Sequence, residues 1–246
     1  LLDVTVVTRL RRAAVIANAG VRPGDIIVGL ASDGQSAWET QYNSGIGSNG
    51  LTSARHDLLC SHYATAYAES FDPEMPAALR YSGPHRLTDP LPGTPLSVGQ
   101  ALLSPTRSYA PVIKALLEGH REQVGALVHC TGGGQTKCLH TGRGIHYVKD
   151  RLFPPPPLFQ RIRQVSGTDW RELYQVFNMG HRLEVIGRPA LLPALEQIGR
   201  AYGLAVRQVG HCEAAPGAGA PPEATAPPGT GNRLSLHTPA GVVTYP

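Results

Sequence analysis

Lysine is almost absent from this 246-residue sequence: of its 22 basic residues only Lys114, Lys137 and Lys149 are lysine. The arginines that make up the rest are scattered, and the net charge is only +4. That argues against a nucleic-acid partner, which needs a basic stripe with interleaved aromatics. Arginine in place of lysine suits bidentate contacts to phosphate and carboxylate, and it follows equally from genome composition. No apolar run approaches the roughly 18 residues of a membrane span, and Leu1 to Val7 lacks the basic start of an export signal. No membrane partner is therefore expected, and a cytoplasmic location is. Cysteine is scarce too. Cys60, Cys130, Cys138 and Cys212 show no C-x-x-C spacing, so reduced thiols are expected rather than staples. Cys130, Cys138, His140 and His146 match no structural zinc spacing, and no metal is assigned to them. The chain does not begin with Met, which implies residues upstream of Leu1.

What the sequence does have is 28 glycines, and three of them stand in a row. Val124 to Val128 reads as a short buried strand, and His129-Cys130-Thr131-Gly132-Gly133-Gly134-Gln135-Thr136 follows it. Consecutive glycines remove every Cβ from the turn, permit positive φ and let a ligand approach the backbone amides. With Thr131, Thr136 and Lys137 beside it, an anion is the natural guest. The alternative is a strand-ending turn with no ligand.

The rest of the chain alternates strand and helix signals without a regular βαβ rhythm, which favours an α+β fold with a mixed sheet packed by helices. Val4 to Val7 and Ile26 to Leu30 read as strands, with a Ser/Gly/Asn-rich loop from Ser32 to Gly47 that carries Trp38 and Tyr42. Ser48 or Asn49 is placed to cap a helix running from Leu51 to about Glu69. The Gly-x-Gly-Ser-Asn-Gly before that helix is a second candidate anion site, with Arg55 either assisting or pairing at the surface. Residues 72–100 form a long, proline-rich loop. Ser104 and Pro105 then look like the start of a helix that ends at Gly119, with a kink or fray at Pro111. Further strands are expected at Gly144–Val148, Leu183–Ile186 and Leu204–Val209. Helices are expected after Pro154–Pro157, after an Asp169/Glu172 capping box, and over 189–202. This divides the chain into a compact domain over 1–213, an Ala/Pro/Gly linker over 214–230 and a terminal β-hairpin over 231–246.

Four words of the sequence occur in one order: Gly47-Ser48-Asn49-Gly50 with Arg55, Leu103-Ser104-Pro105-Thr106-Arg107, His129-Cys130-Thr131-Gly132-Gly133-Gly134, and Phe177-Asn178-Met179-Gly180. Together they resemble the C-terminal half of phosphoribosylformylglycinamidine cyclo-ligase, also called aminoimidazole ribonucleotide synthetase. The loop after Ser32, Gly167-Thr168-Asp169-Trp170 and the terminal hairpin are similar to a longer branch of that family. The resemblance covers nearly the whole chain apart from the linker.

It implies an aminoimidazole ribonucleotide synthetase C-terminal-like fold and an ATP-dependent ring closure in purine biosynthesis. Formylglycinamidine ribonucleotide is activated on its formyl oxygen, an amidine nitrogen attacks the activated carbon, and 5-aminoimidazole ribonucleotide, ADP and phosphate result. ATP and Mg²⁺ are implied to sit mainly on an N-terminal domain that nothing in this chain resembles. A homodimer is implied for the full-length protein, with no activity for this part alone. Substrate and phosphate contacts fall on Thr131, Gly132, Gly133 and Gly134, on Ser48, Asn49 and Gly50, and on Arg107 and Asn178. Arg107 is alternatively a structural ion pair, and Asn178 a cap or turn residue of the cleft wall. Many members carry a histidine where this chain has Gly47; His129 and His56 are the candidates to take over its role, set against purely structural histidines. A phosphometabolite-binding module without catalysis, or another member of the same ATP-dependent superfamily, is the rival reading.

Overall fold

Short β-branched runs bounded by turn residues become strands in this protein, and amphipathic runs with polar or proline starts become helices. A computed structural model describes residues 5–216 and 226–246, so residues 217–225 of the expected linker lie outside it. The first half contains β1 (Ile26–Ala31), β2 (Asp33–Gly34), β3 (Asn43–Ser44), α1 (Leu51–Leu58), α2 (His62–Ala66), α3 (Val98–Leu102) and α4 (Ala110–His120). The second contains β4 (Val124–His129), β5 (Ile145–Lys149), α5 (Pro157–Ser166), α6 (Trp170–Val176), β6 (His181–Gly187), α7 (Leu191–Ala201), β7 (Val206–Ala214), β8 (Arg233–Thr238) and β9 (Gly241–Tyr245).

Seven strands form one sheet in the order β4-β6-β1-β7-β5-β8-β9, with β2 and β3 as a separate small ladder. Every pairing in the large sheet is antiparallel except that of β5 with β8. This is the α+β, mixed-sheet architecture expected, and the terminal hairpin is present as β8 and β9. It joins the large sheet beside β5.

Helices cover both faces. Ala54 of α1, Leu102 of α3, Leu158 and Phe159 of α5 and Leu173 of α6 pack with Ile27 and Ile186 on one side. Val112 and Leu116 of α4 and Leu191 and Leu195 of α7 pack with Val28, Leu30 and Val185 on the other. The central strands β1 and β6 are consequently buried at every position. Each fully enclosed aliphatic side chain there contributes about 1.5–3 kcal/mol relative to exposure. α5 follows the expected asymmetry, with Pro157 opening it and Gly167 closing it at φ 70°.

Several expectations change. Residues 5–7 form no strand, and Val6 and Val7 are exposed; with no strand partner, local β propensity is not enough. The helix expected from Leu51 to Glu69 breaks after Leu58, where Leu59 turns extended. Its N-cap is Gly50, at φ 78°, and neither Ser48 nor Asn49 caps it. The helix placed at Ser104 starts instead at Ala110, and Pro111 lies in its first turn, where it causes no kink. Ser104 to Arg107 is a non-helical connection that packs on the 31–45 segment. Within the 72–100 loop, Ser97 and Gln100 make a reciprocal capping box for α3. At α6, only half of the expected box forms: the Asp169 side chain accepts from the Glu172 amide.

Candidate functional site

The glycine turn leaves β4 where the strand runs out of partners. Gly132, Gly133 and Gly134 all take positive φ, at 60°, 115° and 48°. A 3-10 helix over Gly134–His140 follows. Gly134 is doubly constrained, since a Cβ there would run into the carbonyl oxygens of Tyr174 and Phe177. The amides of Gly132 and Gly133 donate to no group among the described residues. Lys137 reaches back to the Gly132 carbonyl at 3.3 Å, and Thr131 Oγ1 lies 3.2 Å from His129 Nδ1. Two open amides, a hydroxyl and an ammonium therefore share one turn.

The loop before α1 comes to the same place. A Cβ on Gly132 would sit 3.3 Å from Asn49 Nδ2, and one on Gly50 would enter the Phe177 ring. Ser48 and Asn49 are exposed, while residues 43–47 are buried beneath them. Asn178 fixes this arrangement from below: its Nδ2 donates to Gly45 O at 2.8 Å and its Oδ1 accepts from the Gly180 amide at 3.1 Å. It is a buried brace of the cleft wall, in keeping with the cap-or-turn reading.

Arg107 adjoins the same loop without facing the cleft. Its five N–H donors are all used, by Glu39 Oε1 and Oε2 and by the carbonyls of Ala31, Asp33 and Gly34, at 2.7–2.9 Å. A guanidinium has no sixth donor, so the geometry is that of the structural ion pair, one of the two readings of Arg107. His56 is buried away from the turn: its Nδ1 accepts from the Tyr81 amide, and its ring packs tilted against Tyr81 and edge-on to Phe71. Arg55 donates to Ser70 O. His129, at the end of β4, does border the turn. Burial lowers its pKa first, with the charges of Arg182 and Lys137 adding to the effect, which keeps it neutral at pH 7.

Beneath the turn lies a charged cluster that sequence reasoning passed over. Lys149 Nζ sits 2.5 Å from Glu184 Oε1, with both side chains fully buried. The same ammonium donates to Gln135 O at 2.7 Å and to Gln135 Oε1 at 3.1 Å. Gln135 Nε2 in turn donates to the carbonyls of Asn178 and His181, and His181 Nε2 lies 2.9 Å from Glu184 Oε1. Gln135 is thus clamped from two sides directly after the glycines. Burial alone pushes the Glu184 carboxyl up, but Lys149 and His181 outweigh it and hold Glu184 below its ordinary value. Burial keeps His181 low and neutral. The available signal was the presence of His181, Arg182 and Glu184 within a run that is otherwise a buried apolar strand.

Arg182, the neighbour of that cluster on β6, is fully buried, and only its Nη2 has a partner, Gly45 O at 2.7 Å. Among the described residues, Nε and Nη1 have none. A Cβ at Gly47 would lie 3.1 Å from Arg182 Nη2, so the guanidinium fills the space a side chain at position 47 would claim.

Cys130, His181 and Glu184 bring ligand atoms within 4.8 Å of one another, but the Lys149 ammonium already provides the cation on that carboxylate. Cys138, His140 and His146 do not join them. A cavity of about 620 Å³ lies elsewhere, between the 85–98 segment and α5, lined by His85, Leu91, Val98, Pro157 and Arg161. None of the four sequence motifs reaches it.

Comparison with known proteins places the chain in a family. Residues 22–220 match the family model described as AIR synthase related protein, C-terminal domain. The phosphoribosylformylglycinamidine cyclo-ligase of Anaeromyxobacter sp. (strain Fw109-5) is 32% identical over 213 residues, 85% of this chain and 51% of that protein. The protein of the same name from Methanothermobacter thermautotrophicus is 34% identical over 166 residues, 68% of this chain and 39% of that protein. The chain thus spans about half the length, or less, of these curated relatives. Among solved structures, T. maritima PurL complexed with FGAR superposes loosely, at a TM-score of 0.47 and 14% identity, over 96% of this chain and 29% of that one.

Proposed function

Because the chain belongs to the family of AIR synthase related C-terminal domains, we propose that it is the substrate-holding half of an ATP-dependent phosphoribosylformylglycinamidine cyclo-ligase. The observation that carries this reading is convergence. Motifs from four distant parts of the chain meet around the 43–50 loop: Asn49 faces Gly132, Phe177 closes on Gly50, Asn178 braces Gly45, and Ser104 Oγ accepts from the Ser44 amide. The cleft they form offers open amides and cations, which suit the 5′-phosphate of a ribonucleotide.

In this reading Gly132 and Gly133 bind the phosphate through their amides, with Lys137 and Thr131 at the rim. Ser48 and Asn49 orient the remainder of the substrate from the opposite wall. Ring closure needs the formyl oxygen phosphorylated, the amidine nitrogen bonded to the formyl carbon and phosphate released, and ATP supplies the phosphoryl group. Two carboxylates behind the cleft are unsuited to Mg²⁺ because each already holds a cation, Glu39 that of Arg107 and Glu184 that of Lys149. That supports assigning ATP and its metal to the part of the relatives that this chain does not cover. This chain's contribution is positioning, which can lower a barrier by about 7–11 kcal/mol when reacting atoms are held in place.

The test is ring closure by the full-length protein with formylglycinamidine ribonucleotide and ATP, for wild type and Lys137→Gln. Turnover in the wild type with a raised KM in the variant supports the reading. A full-length protein that binds the ribonucleotide and never turns it over would establish the binding-module alternative instead.

A further inference from the structure

One group in the cleft is left without a role by that reading. Arg182 carries a permanent charge, is fully buried, and has no partner for Nε or Nη1 among the described residues. The carboxylate whose charge it feels, Glu39, is already held by Arg107 on both oxygens. Glu184, two residues away on the same strand, is taken by Lys149 and His181. A buried charge without a counter-charge is strongly unfavourable, and native proteins pair such groups or give them a ligand.

The surroundings point to a ligand. The guanidinium lies against a residue without a side chain, Gly47, where a Cβ would be 3.1 Å from Nη2 and 3.6 Å from Nε, and exposed Ser48 and Asn49 follow directly. Asn49 lies against Gly132, and the backbone N–H of Cys130, next to Thr131, donates to Arg182 O. The Arg182 charge is also near enough to depress His129 at the cleft edge. Lys137 thus stands at the rim of the glycine turn, and the Arg182 guanidinium lies behind the 45–47 segment of the facing loop.

We infer that Arg182 is the buried half of the anion site, and that a phosphate monoester bound at the glycine turn supplies the counter-charge that the guanidinium lacks. The inference rests on the anion-cradle reading above and adds to it a charge that no backbone amide provides. It also assigns a sign to stability. A guanidinium retained for fold would make its removal destabilising; a guanidinium retained for a ligand makes the ligand-free protein carry an uncompensated charge. Replacing a buried charge with an apolar side chain of similar volume is then neutral or stabilising.

The experiment measures thermal unfolding of the full-length protein against inorganic phosphate at constant ionic strength, for wild type, Arg182→Met, Arg182→Gln and Lys137→Gln. The expected wild-type result is a melting temperature that rises with phosphate. In both Arg182 variants the phosphate-free melting temperature is expected to equal or exceed that of wild type, while phosphate affinity falls at least about tenfold, the loss of one charge-assisted hydrogen bond or more. Lys137→Gln is expected to weaken phosphate without raising the phosphate-free value. Arg182 variants that bind phosphate like wild type, while Lys137→Gln does not, would overturn the inference and leave the cradle standing. A wild type with no phosphate response overturns both. Arg182→Met and Arg182→Gln that are each unfolded or strongly destabilised without phosphate would show the guanidinium to be structural and end the inference.

Discussion

Lys149→Met offers the sharpest test of how the glycine turn is held. The side chain is fully buried and its ammonium meets three acceptors: Glu184 Oε1 at 2.5 Å, Gln135 O at 2.7 Å and Gln135 Oε1 at 3.1 Å. Methionine keeps the volume and removes the charge, leaving Glu184 buried with Oε2 already unpaired. Removing one partner of such a pair costs about 3–5 kcal/mol. For a chain of this size that is a fall of about 6–20 °C in melting temperature. The double variant Lys149→Met/Glu184→Met removes both charges and should recover part of the loss, because only polar acceptors and His181 Nε2 then lack partners.

The pH dependence supplies a second check. In wild type the folded pKa of Glu184 is depressed, so its stabilisation is present above the unfolded carboxyl value of about 4.3. It is lost as pH falls through the lower folded value. Without Lys149, burial dominates and the folded pKa rises, which reverses the sign. The stability gap between wild type and Lys149→Met should therefore narrow between pH 7 and pH 5, measured by circular dichroism melts. A single variant within about 2 °C of wild type, or a double variant no better than the single, would refute the reasoning.

Three further outcomes follow from the site. Gly134→Ala should lose about 3 kcal/mol or more in denaturant unfolding, since it adds a positive-φ penalty to a collision with two carbonyl oxygens; Gly133→Ala, with nothing nearer than 3.6 Å, should lose only the φ penalty of about 1–2 kcal/mol. Arg107→Met should cost about 3–5 kcal/mol by stranding Glu39, while the folded fraction keeps wild-type phosphate affinity in titration calorimetry; a weakened affinity would reinstate Arg107 as a ligand. Ser97→Ala should lower stability by about 1 kcal/mol through loss of the α3 capping box, measured in urea.

Local chemistry was enough to place several features. Ile26 to Leu30 and Val124 to Val128 read as strands, since they are short apolar runs between turn residues; the first is buried throughout, while β4, at the sheet edge, buries only Ala126 and Val128. Pro157 and Gly167 bracket α5 because one cannot donate inside a helix and the other tolerates the left-handed exit. Three glycines in succession announced the positive φ angles at 132–134. The terminal hairpin was readable from Thr238 to Gly241 and its flanking alternation.

Tertiary structure decided the rest. Ser104 and Pro105 have the form of a helix start, but the Asn43, Ser44 and Arg107 hydrogen bonds draw that segment into the loop system and delay α4 to Ala110. Arg107 and Arg182 are the same residue type, and sequence offers no way to tell them apart. One meets five acceptors that converge from residues 31–39, and the other meets one and faces the gap at Gly47. The pairing of Lys149 with Glu184 spans 35 residues and depends on strands β5 and β6, which are not neighbours in the sheet. Propensity and patterning act over a few residues, so they fix elements and turns. Whether a charge is neutralised depends on which distant backbone the fold brings beside it, and only the assembled sheet determines that.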